Sequence, residues 1–291
     1  MRRILNNLLI SMLFTGVFSA DAGDLNDKWS LLCKTGDISY CNLIGRNYLS
    51  TKHYSEAFSV YKRACQKNNA ESCASLGYLY MNGLGTHKSI RKAKDLLSKS
   101  CTLKYGEGCY NLASLYENDF EFEQYRSHAF EYYEKGCEFG NADSCLNLGI
   151  FYSEGKSVKA DFSKASKYLD LACSGKVGFG CFLSGELNSG EFERHHDYEK
   201  ALDSYLKACE LSVAEGCSSL GLMYEEGKVE EPDLEMAAAY YSIACRLKDP
   251  NGCYYLAMAK EKGQGVPKDK LTAKTLYKTA CNLGQFSACQ N

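Results

Sequence analysis

Proline and tryptophan are nearly missing from this chain of 291 residues, with three and one respectively. So little proline excludes a collagen-like chain or a proline-rich linker. Charge of one sign is missing too: 34 Lys and Arg stand against 36 Asp and Glu, for a net charge of -2. That removes the basic footprint a nucleic-acid partner needs. No acidic or basic tail is present. No sequence resembles a glycine-rich phosphate loop after a strand, and H-E-x-x-H is absent, so two common catalytic signatures are excluded. Beyond the N-terminus no apolar run could span a bilayer. At 45% hydrophobic and 24% charged, the composition is that of a folded, soluble chain.

The N-terminus reads as an export signal. Arg2 and Arg3 precede an apolar stretch from Ile4 to Phe18, and Ala20-Asp21-Ala22 matches an A-x-A cleavage site. Residues 1–22 are therefore predicted to be removed, with cleavage after Ala20 as a second choice. A membrane anchor is the alternative, but the apolar run is shorter than the roughly 20 residues a span needs. No cysteine follows until Cys33, which argues against a lipoprotein. The expected location is secreted or periplasmic, with no membrane span after cleavage.

Cysteine is abundant: sixteen residues in eight pairs, each pair enclosing seven residues. An even count behind an export signal implies disulfides. Zinc sites favour two to four intervening residues, and the five histidines join the cysteines in no regular pattern. Local pairing would give Cys33–Cys41, Cys65–Cys73, Cys101–Cys109, Cys137–Cys145, Cys173–Cys181, Cys209–Cys217, Cys245–Cys253 and Cys281–Cys289. The sequence constrains this connectivity without proving it. Eight residues of helix cover about 12 Å, whereas a disulfide needs Cα atoms roughly 4.4–6.8 Å apart. The chain must then reverse between the cysteines, and Tyr105-Gly106-Glu107-Gly108 is predicted to supply the turn.

From Cys65 onward the pairs start 36 residues apart, a period that marks a solenoid. Counting from each second cysteine as zero, position three carries Ile44, Leu76, Leu112, Leu148, Leu220 and Leu256. Position four is Gly or Ala, and position seven is mostly Tyr. These positions share one helical face, helix A. Position twenty is alanine in every full-length unit, with Tyr or Leu four residues on, which marks a second helix, B. The loop between them carries glycine, which ends helix A, and often an acidic residue. Pro267 in "GVPKDK" cannot sit in a helix interior. The predicted organisation is an N-terminal helix and first disulfide loop over 23–40, then seven A–B units and a C-terminal clip over 41–291. The units are 41–64, 73–100, 109–136, 145–172, 181–208, 217–244 and 253–280.

The stretches "CASLGYLYMNGLG" (73–85) and "CYYLAMAKEKGQGVPKD" (253–269) resemble the Sel-1-like repeat, a relative of the tetratricopeptide repeat. With cysteines at both ends of every unit, the chain is similar to the secreted cysteine-rich Sel-1-like proteins of epsilon-proteobacteria, the Hcp family. That resemblance covers residues 33–289. It implies an all-α fold, an α-solenoid of antiparallel helix pairs wound as a right-handed superhelix with one disulfide per repeat. It also implies penicillin binding and slow β-lactam hydrolysis, so a β-lactamase is the enzymatic alternative. Units three and five depart from the pattern: "YENDFEFEQYRSHAF" lacks the loop glycines, and Asn188 replaces tyrosine.

A serine β-lactamase needs S-x-x-K with S-D-N and K-T-G. S-x-x-K occurs at Ser59–Lys62, Ser89–Lys92, Ser153–Lys156 and Ser204–Lys207, about as often as chance gives. S-D-N is missing, and Lys34-Thr35-Gly36 sits in the first disulfide loop. No catalytic residue is therefore assigned. His195-His196, with Glu191, Glu193 and Asp197 nearby, is the one metal-like cluster; adjacent histidines point to different faces of a helix, and no metal or other cofactor is expected.

What remains is surface. Tetratricopeptide-like solenoids line their concave face with helix A. Positions one and five give Tyr78, Tyr110, Leu146, Ile150, Phe182, Leu222, Tyr254 and Met258, with an acidic margin of Glu117, Glu154, Glu225, Glu226 and Glu261. This strip is the predicted binding face for a protein, a peptide or a peptidoglycan or β-lactam-like ligand. Packing of the same residues against neighbouring repeats is the competing reading. The loop Asp119–Glu123 is a second candidate contact.

Overall fold

The computed structural model describes residues 30–33, 35, 37–117, 124–155, 158–190, 196–228 and 231–290, with backbone alone at 124–126. The predicted signal peptide, most of the residues 25–33 assigned to the N-terminal helix, Lys34, Gly36, the loop 119–123, Lys156 and His195 lie outside them. Residues 30–33 are helical. Then come seven helix pairs: α1 Ile38–Ser50 and α2 Tyr54–Gln66; α3 Ala70–Asn82 and α4 Ile90–Thr102; α5 Gly106–Glu117 and α6 Gln124–Glu138; α7 Ala142–Glu154 and α8 Phe162–Ser174. The series ends with α9 Gly178–Ser189 and α10 Tyr198–Glu210; α11 Ala214–Glu226 and α12 Leu234–Arg246; α13 Pro250–Lys262 and α14 Lys270–Asn282. A 3-10 turn, Phe286–Gln290, follows. There is no strand among the described residues, and no helix is long and apolar enough to cross a membrane.

Local chemistry sets the boundaries. Gly83, Gly155, Gly227 and Gly263 end A helices in the left-handed region, with φ between 62° and 76°. The acidic loop residues are helix caps: Asp161, Asp197, Asp233 and Asp269 accept backbone N–H bonds at the start of α8, α10, α12 and α14. Such a cap contributes about 1 kcal/mol. Pro250 occupies the first turn of α13, where its missing N–H costs nothing.

All eight cysteine pairs are bridged locally, with Cα atoms 4.4–5.0 Å apart. The reversal lies elsewhere than the sequence suggested. Helix A begins three residues before its cysteine, so Gly106, Glu107 and Gly108 already belong to α5. The chain turns in three residues, Leu103 to Tyr105, with Lys104 at φ 59°. Asn68, Gly140, Lys176, Ser212, Lys248 and Gly284 hold the same left-handed position in the other loops from Cys65 onward. Gly108 serves a different purpose: a Cβ there would lie 2.2 Å from the Ser100 hydroxyl. The glycine lets α5 approach α4 beside the bridge.

Two compact units divide the chain, Met1–Leu112 and Ala113–Asn291. In the first, α1 to α4 pack consecutively, and Tyr61 and Leu97 lie over Gly45 and Gly77. Cβ atoms at those glycines would come within 2.5 and 2.8 Å of the facing side chains. In the second, Gly149, Gly185 and Gly221 receive Leu169, Tyr205 and Tyr241 in the same way. At the loop end of these pairs, Tyr116–Tyr132, Tyr152–Tyr168 and Tyr224–Tyr240 stack nearly parallel at 5.6 Å. Leu148, Leu220, Ala165, Ala201 and Ala237 fill the space between.

Candidate functional site

The A helices bury positions zero, three and four against their B partners. Their outward residues lie at positions minus two, two, five and nine. In the second unit this A face carries Asp143, Glu154, Glu186, Glu215 and Glu226, all exposed. Between them sit half-buried Ile150, Leu183, Leu222, Tyr255 and Met258 and exposed Phe179. Throughout α7, α9 and α11 there is no Lys or Arg. The intervening α8 and α10 carry Lys164, Lys167, Lys200 and Lys207. The B helices thus carry both signs, with Asp170, Glu199, Asp203 and Glu210 beside these lysines, whereas α7, α9 and α11 carry acids alone.

The predicted strip divides in two. Tyr78 is the exposed member at 42%, on the first unit. Tyr110, Leu146, Ile150, Phe182, Leu222, Tyr254 and Met258 are half-buried. Position one turns toward the B partner: the Phe182 ring lies 6.2 Å from Tyr205, and Tyr254 lies 5.7 Å from Tyr277. The acidic margin also divides. Glu117, Glu225 and Glu261 accept hydrogen bonds from the hydroxyls of Tyr133, Tyr241 and Tyr277 at 2.6, 2.5 and 2.9 Å. Tyr205 donates to Glu186 at 2.7 Å. These carboxylates anchor buried phenols as well as facing water. Burial, and then the neighbouring carboxylate, raises the Tyr241 and Tyr205 phenols and pushes Tyr277 up to about 12. They remain neutral donors. Glu226 pairs with Lys228 at 3.4 Å, and Glu154 is exposed.

A signal for these bonds was present in the sequence. Three tyrosines at position 24, Tyr133, Tyr241 and Tyr277, have a glutamate at position eight, sixteen residues earlier: Glu117, Glu225 and Glu261. Where leucine stands instead, at Leu97 and Leu169, position eight is Met81 or Ser153, neither of them acidic.

Among the described residues the serine–lysine matches assemble no catalytic pair. Ser59 and Ser153 donate to the carbonyls of Ser55 and Ile150. Ser89 caps α4. Ser204 bonds to the Ser184 hydroxyl, while Lys207 pairs with Asp203. Lys200 does lie 2.8 Å from the Ser166 hydroxyl, but Asp170 holds its ammonium at 2.7 Å and also accepts from Ser184. A lysine acting as base must shed its proton, which an adjacent carboxylate opposes. This cluster ties α8, α9 and α10 together. His196 stacks on Tyr198 at 5.1 Å and lies 3.0 Å from the Gly190 carbonyl. No group of three or more His, Cys, Asp or Glu among the described residues could hold a metal ion.

The Sel1 repeat family profile matches residues 70–105, 106–141, 142–177, 180–213, 214–249 and 250–285. Among solved structures, the c5321 protective antigen of uropathogenic Escherichia coli, which displays an SLR fold, superposes with a TM-score of 0.75 at 19% identity. The match covers 90% of this chain and 57% of that one. Helicobacter pylori cysteine rich protein B is 40% identical over 47% of this chain and 98% of its own, with a TM-score of 0.39. Among curated proteins, the ERAD-associated E3 ubiquitin-protein ligase component HRD3 of Candida glabrata is 34% identical over 61 residues. Those residues make up 21% of this chain and 7% of HRD3, so the chain spans a small part of that relative.

Proposed function

The chain belongs to the Sel1 repeat family, and from that premise we propose that it is a disulfide-stapled scaffold binding a protein or peptide on its A face. Eight bridges and no free cysteine suit an oxidising compartment, and with the N-terminal signal pattern they support a secreted or periplasmic location. The acidic, cation-free sequence of three successive A helices carries the binding reading. These helices present carboxylates with apolar side chains between them and contain no Lys or Arg of their own. Such a face is complementary to a basic partner and would raise its on-rate. HRD3 is itself named as a component of a ligase assembly.

β-lactam hydrolysis has less to rest on, because the Lys200 ammonium beside Ser166 is held by Asp170 rather than free to act as a base. Reversing two exposed charges, Asp143→Lys with Glu215→Lys, should remove the partner recovered from periplasm or culture fluid while leaving helical circular dichroism intact. Recovery at the wild-type level would exclude this face. A chromogenic β-lactam should turn over no faster than in a protein-free control, and catalysed turnover would restore the enzymatic reading.

A further inference from the structure

Resting on that A-face reading, we propose that a recess between α11, α12 and α13 receives the ammonium group of a lysine from the bound partner. The recess has a volume of about 20 Å³ and is lined by Glu225, Leu234, Tyr241, Tyr255, Met258 and Gln264, together with alanines. That is room for one water-sized group. An ammonium has that size; a guanidinium or an acetamide does not.

The walls suit a cation on an aliphatic stem. Tyr241 is the hydrogen-bond partner of Glu225 among the described residues, which leaves the carboxylate further acceptor capacity. No Lys, Arg or His lines the recess. Lys228 is spent on Glu226. The rings of Tyr241 and Tyr255 lie 5.1 Å apart and are tilted by 35°, so they brace each other as one wall of the recess. Burial, followed by the charge of Glu225, raises the Tyr255 phenol, which therefore stays neutral. Met258 and Leu234 offer apolar surface to the methylene stem. Glu225 is half-buried with the Tyr241 hydroxyl as a donor, and an incoming ammonium would add a charge-assisted bond to its remaining lone pairs. A trapped water is the competing occupant.

The test uses the full-length oxidised protein with methyl-labelled methionine, and Met258 assigned through Met258→Leu. Its methyl resonance is followed while Ac-Ala-Lys-Ala-amide is added. The arginine, Nε-acetyl-lysine and norleucine analogues serve as controls. The lysine peptide should shift the resonance saturably, and the three analogues should not. Glu225→Gln keeps an acceptor for Tyr241, so the fold is retained, and should weaken binding at least tenfold. An equal response to norleucine, or no response to the lysine peptide, would overturn the proposal and leave a water site. If the lysine peptide fails while Asp143→Lys with Glu215→Lys still abolishes partner recovery, the A-face reading stands and the recess alone is lost. If charge reversal also leaves recovery unchanged, both fall.

Discussion

A tyrosine hydroxyl sealed inside a helix pair must find an acceptor, and four of these tyrosines find a carboxylate on the preceding A helix. Tyr61 is the exception. Its unit carries Leu49 where the others place an acid or serine. Its hydroxyl is fully buried without a hydrogen bond of good geometry, although Ser75 lies beside it. Burial pushes its phenol up to about 12. The two situations predict opposite outcomes for one substitution. Tyr241→Phe removes a bond to a charged acceptor and should cost about 1–2 kcal/mol, since half-buried Glu225 regains some water. Tyr61→Phe removes an unsatisfied hydroxyl and should leave stability unchanged or raise it by up to about 1 kcal/mol. Urea unfolding of the oxidised proteins decides it. Equal losses from both would show that the Tyr–Glu bonds contribute nothing specific.

At the level of the helix pair, the cysteine period was enough to read the register, the A and B faces and the alanines and glycines between them. Less legible was the use of each glycine. In "CTLKYGEGC" the two glycines look like turn residues, because sequence alone does not separate a glycine needed for positive φ from one needed for close approach. The structure assigns the turn to Lys104 and the close approach to Gly108. The predicted binding strip was only partly legible for a similar reason: position one is apolar because it packs on the B helix, not because it faces a ligand. Beside the bridges, small residues come in facing pairs. Gly216 meets Ala208, and Gly252 meets Ala244. At Cys137–Cys145 the order is reversed, with Gly136 on the B side and Ser144 on the A side. A Cβ on Gly216 would lie 2.6 Å from that of Ala208. Gly216→Ala should therefore cost about 1–3 kcal/mol through overpacking. Adding Ala208→Gly removes the clash, and the helix propensities of the two changes cancel. The double variant should unfold within about 0.5 kcal/mol of wild type, as additivity fails for touching residues. A double variant no more stable than Gly216→Ala would refute the pairing.

Across the chain, stability is a property of neighbours. Within each unit the helices with recorded packing lie chiefly on those next to them in sequence, and repeats stacked in this way have no closed core to share a local defect with distant parts. The bridges match this arrangement: each spans eight residues at one B-to-A reversal, and none joins distant helices. Loop-closure arithmetic gives about 2.5 kcal/mol for so short a loop. Their effect should therefore be local. Within the second unit, replacing Cys209 and Cys217 by alanine should raise amide hydrogen exchange in α9 to α12, which flank the lost bridge. In α14, with Cys281–Cys289 intact, protection should stay near wild type. Hydrogen-exchange mass spectrometry of the oxidised variant resolves these segments. Protection lost evenly from α9 through α14 would mean that this unit opens as a single cooperative body, and that the bridges stabilise it globally.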